Sequence, residues 1–401
     1  MKKYTLLLFS IYLTLQLFAQ NNQDFIITPN QKDIKVGAER TALYFPLLKD
    51  KYIAVVANQT SKLGNTHLVD TLFNSGMRLI KIFCPEHGFR GKAGAGEYVN
   101  DNVDLKTGLP IFSLYGRNRK PRASDLKEIQ VIIFDIQDVG ARFYTYISTL
   151  HYVMEACAEN NIELIVLDRP NPNGFYVDGP VLDMKYKSFV GMHPVPLVHG
   201  LTIGEYAQMI NGEKWLAGKV QCKLKVVPVE NYNHKMLYKL PVKPSPNLST
   251  MSAIYLYPSL CLFEGTIVSV GRGTDKPFQM FGHPDLLIGD YKFKPRSISG
   301  VSANPKLQGK LCTGFDLTEF SDGYFPNYKK IYLFWLIETY KELKDRPDFF
   351  NNFFDKLAGN STLRKQILNG LSEEEIRKSW QPDLIKFKKI RKKYLLYPDF
   401  E

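Results

Sequence analysis

Val131-Ile132-Ile133-Phe134-Asp135-Ile136-Gln137-Asp138-Val139-Gly140-Ala141-Arg142-Phe143-Tyr144 passes from an unbroken apolar run into a polar, aromatic loop. A stretch with helical spacing follows, from Tyr146 to Glu159. A short, continuous Val/Ile run leaves no polar face for water, so it reads as a strand covered on both sides. The same alternation recurs outward from it. Upstream lie apolar runs at Tyr52–Ala57 and Leu79–Cys84, with a helix between them at Leu68–Ser75 closed by Gly76. Downstream lie Glu163–Leu167, a helix opening at Leu201-Thr202-Ile203-Gly204-Glu205, and Leu224–Val227. Strand-like runs separated by helices predict an α/β fold with a Rossmann-like, doubly wound, mainly parallel sheet.

Beyond it, Ser252–Phe263 reads as a helix and Thr266–Val270 as a further strand. After Pro277 the chain becomes richer in Lys, Phe and loops. Helices are expected at Lys330–Leu343, Asp348–Ala358, Thr362–Asn369 and Glu373–Trp380, then a basic one. The expected domains are 21–277, Rossmann-like, and 278–401, a smaller α+β auxiliary domain.

The N-terminus reads differently. Met1-Lys2-Lys3 is basic, Tyr4–Phe18 is almost wholly apolar, and Ala19-Gln20 precedes a polar break. That order describes a secretory signal peptide over 1–20, shorter than a membrane span of about 20 residues. The expected location is exported and periplasmic, with no stable membrane insertion after cleavage. Cys84, Cys157, Cys222, Cys261 and Cys312 are odd in number and sit in apolar runs without CxxC spacing. They read as small buried hydrophobes, not a disulfide framework or zinc site.

The 401 residues carry 52 Lys and Arg against 40 Asp and Glu, a net charge of +12. Much of the excess crowds Lys386–Lys393. An exported chain rarely meets nucleic acid, and Ile385, Phe387, Ile390, Tyr394 and Leu395 interleave there at helical spacing. A solvated face of an amphipathic helix is the expected reading, with no nucleic-acid partner.

Ligands of open α/β sheets bind beyond the carboxyl ends of the strands. Those ends hold Asn58-Gln59-Thr60-Ser61, Pro85-Glu86-His87-Gly88-Phe89-Arg90-Gly91, Asp135 to Tyr144, and Asp168-Arg169-Pro170-Asn171-Pro172-Asn173-Gly174. Gly271-Arg272-Gly273-Thr274 follows the last apolar run. Carboxylates, amides, Arg and aromatics together suit a sugar, whose hydroxyls need donors and acceptors and whose faces pack on rings. The dinucleotide fingerprint GxGxxG is absent after the first strand, as are a Walker A sequence and a GxSxG elbow. His87, His199 and His283 lack metal-ligand spacing, so neither metal nor cofactor is expected.

The stretches Cys84–Gly91, Asp135–Tyr146 and Leu167–Gly174, together with Phe263-Glu264-Gly265-Thr266 and Gly271–Thr274, resemble the NamZ-type exo-β-N-acetylmuramidases, once known only as a domain of unknown function. The resemblance runs from about Val36 to the terminal Tyr394-Leu395-Leu396-Tyr397-Pro398. It implies a glycoside hydrolase that releases N-acetylmuramic acid from the non-reducing end of peptidoglycan fragments. Its partners would be muropeptides or MurNAc-GlcNAc disaccharides. A non-catalytic peptidoglycan-binding protein and a cell-wall hydrolase of another linkage are the alternatives.

Glycoside hydrolysis needs an acid to protonate the leaving oxygen and a second group at the sugar carbon. With that resemblance, Glu86 is the expected general acid and His87 its orienting neighbour; the bland alternative is a loop ion pair between Glu86 and Arg90. Asp138 leads for the second group, ahead of Glu97, Asp168 and Glu264, and the substrate's own acetamido group could replace it. Arg142, Arg272 and Arg90, in that order, could grip the lactyl carboxylate of muramic acid. Asn58, Gln59, Asn171 and Asn247 could hold hydroxyls. Tyr115, Tyr144 and Tyr146 could stack on a sugar face, and Arg169 and Asp168 could form a structural pair.

Overall fold

Residues 31–90 and 102–401 are described in a computed structural model of the chain. The expected signal segment and Glu97 lie outside the described residues. The central sheet is made of the runs of Val, Ile and Leu. Its strands are β1 (Ile53–Ala57), β2 (Leu79–Cys84), β3 (Pro110–Ser113), β4 (Val131–Asp135), β5 (Glu163–Leu167) and β6 (Lys223–Val227). They lie in the order β3-β2-β1-β4-β5-β6, all parallel, and Asn102–Val103 adds a short antiparallel edge to β3. Every residue of β1 and β4 is buried, as unbroken apolar runs require. β1 and β4 run in register from Ile53↔Val131 to Ala57↔Asp135. The winding direction reverses between them, which opens a crevice at their carboxyl ends.

Helices cover both faces: α1 (Thr41–Leu48), α2 (Leu68–Asn74), α3 (Tyr146–Glu159), α4 (Ile203–Gly212) and α5 (Met251–Leu260). Thr202 caps α4, its hydroxyl and the Glu205 carboxylate forming a reciprocal capping box. A smaller sheet follows, with β7 (Met280–His283), β8 (Tyr291–Phe293) and β9 (Cys312–Asp316) antiparallel in the order β7-β9-β8. The rest is helical: α6 (Thr318–Tyr328), α7 (Phe334–Glu342), α8 (Phe354–Ala358), α9 (Thr362–Leu368) and α10 (Glu373–Arg391). One buried cluster joins Phe134 of the main sheet to Tyr257, Phe281, Trp335 and Trp380, so the core is continuous across residue 277. No helix among the described residues is long and apolar enough to cross a membrane.

Several expectations are corrected. Thr266–Val270 is no strand; it makes isolated bridges, Thr266 to Phe350 and Ser269 to Gly282, because its neighbours are loops and the end of β7. The helix expected to stop at Trp380 continues through Pro382 into the basic segment as one helix, α10. Its buried face is Ile376, Trp380, Leu384 and Phe387, while Ile385 faces solvent. Arg391, read as part of the solvated basic face, is fully buried and forks onto Asp399 and the Gly200 carbonyl. The five cysteines are free and buried, as expected.

A buried histidine chain ties α3 to α4. His151 Nδ1 and His193 Nε2 are 2.9 Å apart, and His193 Nδ1 lies 3.0 Å from the Tyr206 hydroxyl. Burial pushes His151 from 6.5 down to about 4, against the opposing pull of Glu155, and holds His193 well below its ordinary value. Between those values the unfolded chain binds more protons than the folded one, so stability falls as pH drops from 6.5 towards 4. At about 1.4 kcal/mol per pH unit, His151 alone should remove about 3 kcal/mol. Urea midpoints compared at pH 7 and pH 4.5 should show the loss, and His151→Phe should lessen it while the buried His193 keeps part of the slope. An equal pH slope in that variant would refute the assignment.

Candidate active site

A cleft of about 840 Å³ opens between the carboxyl edge of the sheet and the C-terminal helices. Glu86 leaves β2 at its floor, half-buried. Thr145 Oγ1 donates to Glu86 Oε2 at 3.0 Å, and the Tyr115 hydroxyl is hydrogen-bonded to the same carboxylate. Thr145 stands just ahead of α3, and Tyr115 just past β3. The segments that follow β2, β3 and β4 therefore meet at one carboxylate, across the end of β1. His87 also lines the cleft, buried, with φ at +72°. A non-glycine residue there is uncommon, and His tolerates it better than a β-branched side chain would.

An aromatic wall rises beside Glu86. Tyr144 meets Tyr146 edge-on at 4.7 Å, and Tyr257 sits between Phe143 at 5.1 Å and Phe278 at 4.9 Å. The Tyr144 and Tyr146 hydroxyls both donate to the Pro244 carbonyl, at 2.9 and 3.3 Å, and so fix the loop that carries Ser245 and Asn247 into the cleft. Asn247 Nδ2 donates to the Val301 carbonyl at 2.9 Å. Its buried Oδ1 has no hydrogen-bond partner among the described residues.

Glu264, in the turn after α5, is the second carboxylate lining the cleft. Arg272 clamps it: Nε lies 3.1 Å from both carboxylate oxygens and Nη2 lies 2.9 Å from Oε2. Burial works to raise the Glu264 carboxyl, but the Arg272 guanidinium outweighs it and holds it below the usual range. Lys306 comes in from the other side. Its ammonium donates to the carbonyls of Phe263, Glu264, Thr266 and Val268, at 2.5–3.3 Å. Burial pushes it down to about 8.

Of the residues expected at the site, Glu86, His87, Tyr144, Asn247, Glu264 and Arg272 line this cleft, with Tyr115 and Tyr146. The others serve around it. Asn58 Nδ2 donates to the Tyr146 hydroxyl at 3.0 Å, and Gln59 Nε2 to the carbonyls of Lys243 and Pro244, so both position the aromatic wall. Arg90 does not pair with Glu86; it binds Asp104 at 2.8 Å and faces Asp70 at 3.7 Å. Arg142, first choice for the lactyl carboxylate, is fully buried and donates to the carbonyls of Pro180, Val195 and Leu357. It fastens α8 to the sheet and cannot reach a ligand. Gly359, at φ +81°, gives it room: a Cβ there would stand 2.4 Å from Arg142 Nη2.

Asp138 lies off the cleft wall. Its Oδ2 accepts from the Gly140 amide at 2.7 Å and stands 3.7 Å from His199 Nε2, while Oδ1 is buried without a hydrogen-bond partner among the described residues. Asp168 is buried at the N-terminus of α4, accepting from Thr202, the Gly204 amide, the Arg169 amide and the Tyr397 hydroxyl. Burial raises it to about 6. Arg169 pairs with Asp135 rather than with Asp168. Asn171 bonds the Leu201 carbonyl and the Asn173 amide. Several cleft residues escaped sequence reading, among them Arg119, Thr145, Lys306 and Lys356. Arg119 follows β3, whose opening Pro110 disguised it; the strand-end rule would have found Arg119 had β3 been recognised.

Residues 53–252 match the N-terminal part of the exo-β-N-acetylmuramidase NamZ family, and residues 255–397 match its C-terminal part. The chain belongs to the NamZ family. It is similar to the peptidoglycan β-N-acetylmuramidase NamZ of Bacillus subtilis, 41% identical over 377 residues that cover 88% of this chain and 89% of that one. Two crystal structures of DUF1343 family proteins from Bacteroides fragilis share the fold. One is 50% identical with a TM-score of 0.85, covering 92% of this chain and 99% of its own. The other is 31% identical with a TM-score of 0.78, covering 91% and 99%. The NamZ assignment agrees with the resemblance read from the strand-end motifs, and the Rossmann-like sheet with its smaller C-terminal part agrees with the fold they implied.

Proposed function

We propose that this chain is an exo-acting β-N-acetylmuramidase that cleaves N-acetylmuramic acid from the non-reducing end of peptidoglycan-derived MurNAc-GlcNAc disaccharides or muropeptides. The observation that carries the mechanism is Glu86, half-buried at the cleft floor and held by the Thr145 and Tyr115 hydroxyls. In this reading the Glu86 carboxyl gives its proton to the glycosidic oxygen as the bond to C1 breaks. A water then adds to C1 and its proton leaves, so the net reaction consumes one water. The aromatic wall packs a sugar face, and Asn247 Oδ1 offers an acceptor. Glu264, kept anionic by Arg272 and matched by its charge, is the second carboxylate of this reading and offers oxygens, not net charge, to the sugar.

Asp138, led by sequence as the second group, gives way to Glu264 in this proposal because Glu264 lines the cleft. His87 retains its proposed orienting role. The apolar leader supports export to the periplasm, where peptidoglycan fragments occur. The test is release of chromophore from a β-N-acetylmuraminide, with the β-N-acetylglucosaminide as control and the first anomer read by NMR. Release from the muraminide alone is expected. Release from neither, by folded protein, would sink the proposal.

A further inference from the structure

Four cationic side chains line the cleft among the described residues: Arg119, Arg272, Lys306 and Lys356. Two are already committed. Arg272 is clamped on Glu264, and the Lys306 ammonium is wrapped by four backbone carbonyls. Lys356 is exposed on α8, a flexible ammonium with no ion pair among the described residues. Arg119 is exposed too and has no acidic partner among the described residues, yet it is held: its guanidinium lies over the Phe189 ring, 4.4 Å from the centroid. Phe189 is itself braced, 6.3 Å from Tyr115 and stacked at 6.4 Å on Tyr152. Tyr115 is the residue bonded to Glu86.

A guanidinium stacked on a ring keeps its in-plane N–H donors free at its edge, in a fork that matches a carboxylate. Stacking also removes much of the rotamer freedom that binding would otherwise freeze. Muramic acid differs from glucosamine by one feature, the lactyl ether with its carboxylate, anionic at neutral pH. We infer that Arg119, braced on Phe189, is the specificity residue that binds the lactyl carboxylate of the sugar cleaved at Glu86. This rests on the muramidase reading above. The residue selects substrate through charge and takes no part in proton transfer.

The test uses the full chain and two chromogenic β-muraminides, one with the free lactyl acid and one with its neutral primary amide. Wild type should favour the acid by about 10- to 100-fold in kcat/KM, the range of a hydrogen-bonded charged pair. Arg119→Ala should collapse that ratio towards one, mainly through KM. Arg119→Lys, which keeps charge and loses the fork, should fall between. Lys356→Ala should retain the wild-type ratio. A ratio unchanged in Arg119→Ala, or lost in Lys356→Ala instead, would overturn the assignment. Binding of free N-acetylmuramic acid, measured by calorimetry against N-acetylglucosamine, separates the two readings. Selective binding that vanishes in Arg119→Ala, without turnover of either muraminide, would sustain Arg119 and sink the muramidase. Absence of binding and of turnover in wild type would overturn both.

Discussion

Glu86→Gln should lower kcat on a MurNAc-GlcNAc disaccharide about 10²- to 10⁴-fold, the usual contribution of a positioned general acid. The amide is isosteric and keeps a carbonyl oxygen for Thr145 Oγ1, whose donor now lies 3.0 Å away. Glu86 is half-buried, so the urea midpoint should stay close to wild type. The leaving group makes the test diagnostic. A nitrophenolate departs with little need of a proton, whereas a sugar alkoxide must be protonated. The defect should therefore be much smaller on the nitrophenyl muraminide than on the disaccharide. A variant that keeps more than about a tenth of its disaccharide activity would remove Glu86 from the acid role. Equal defects on both substrates would point to a role in binding or at C1.

Asp135→Ala should destabilise the fold by about 3–5 kcal/mol, the cost of stranding a buried charge. Asp135 ends β4 and is fully buried, and Arg169, just past β5, is nearly so. The guanidinium reaches it in two-pronged fashion, Nε to Oδ1 at 2.6 Å and Nη2 to Oδ2 at 2.9 Å, and also donates to the Lys62 carbonyl at 3.0 Å. The Asp135 carbonyl in turn accepts from Ser61 Oγ. The pair thus ties β4 and β5 to the turn that follows β1, at the crevice where the winding reverses. Removing the carboxylate leaves Arg169 charged in a dry site. Replacing both partners, as Asp135→Leu with Arg169→Met, should restore part of the loss, because no orphan charge remains. Denaturant titration of the single and double variants decides it. A single variant within about 1 kcal/mol of wild type would show that solvent reaches Arg169.

Both residues were legible as strand-end polar groups, but their roles were not. Sequence places Asp135, Asp138, Asp168 and Arg169 at the same end of the sheet as Glu86. It does not say which side chains find donors inside the protein. Asp168 meets Thr202 and Gly204 of α4 and Tyr397, 229 residues further along the chain. Arg142 meets Leu357, 215 residues away. Such partners belong to elements that pack late along the chain, and no local pattern announces them. The cations that remain uncommitted at the cleft, Arg119 and Lys356, are recognisable only once every other charge has been paired.

The sequence by itself determined five of the six parallel strands of the sheet; β3, opened by Pro110, was not legible. Mostly apolar runs at 53–57, 79–84, 131–135 and 163–167, separated by helices, suit strands buried in a parallel sheet, and the observed strands follow them. It also determined the family, because long stretches such as Cys84–Gly91 and Asp135–Tyr146 hold rare combinations of residues in order. Tertiary structure decided the site within it. The C-terminal helices close over one end of the sheet, so carboxylates of similar sequence context become a half-buried cleft residue in Glu86, a clamped wall in Glu264, and internal acceptors in Asp138 and Asp168. Burial and pairing are long-range properties, set by which surfaces meet, and they divide chemistry from scaffolding.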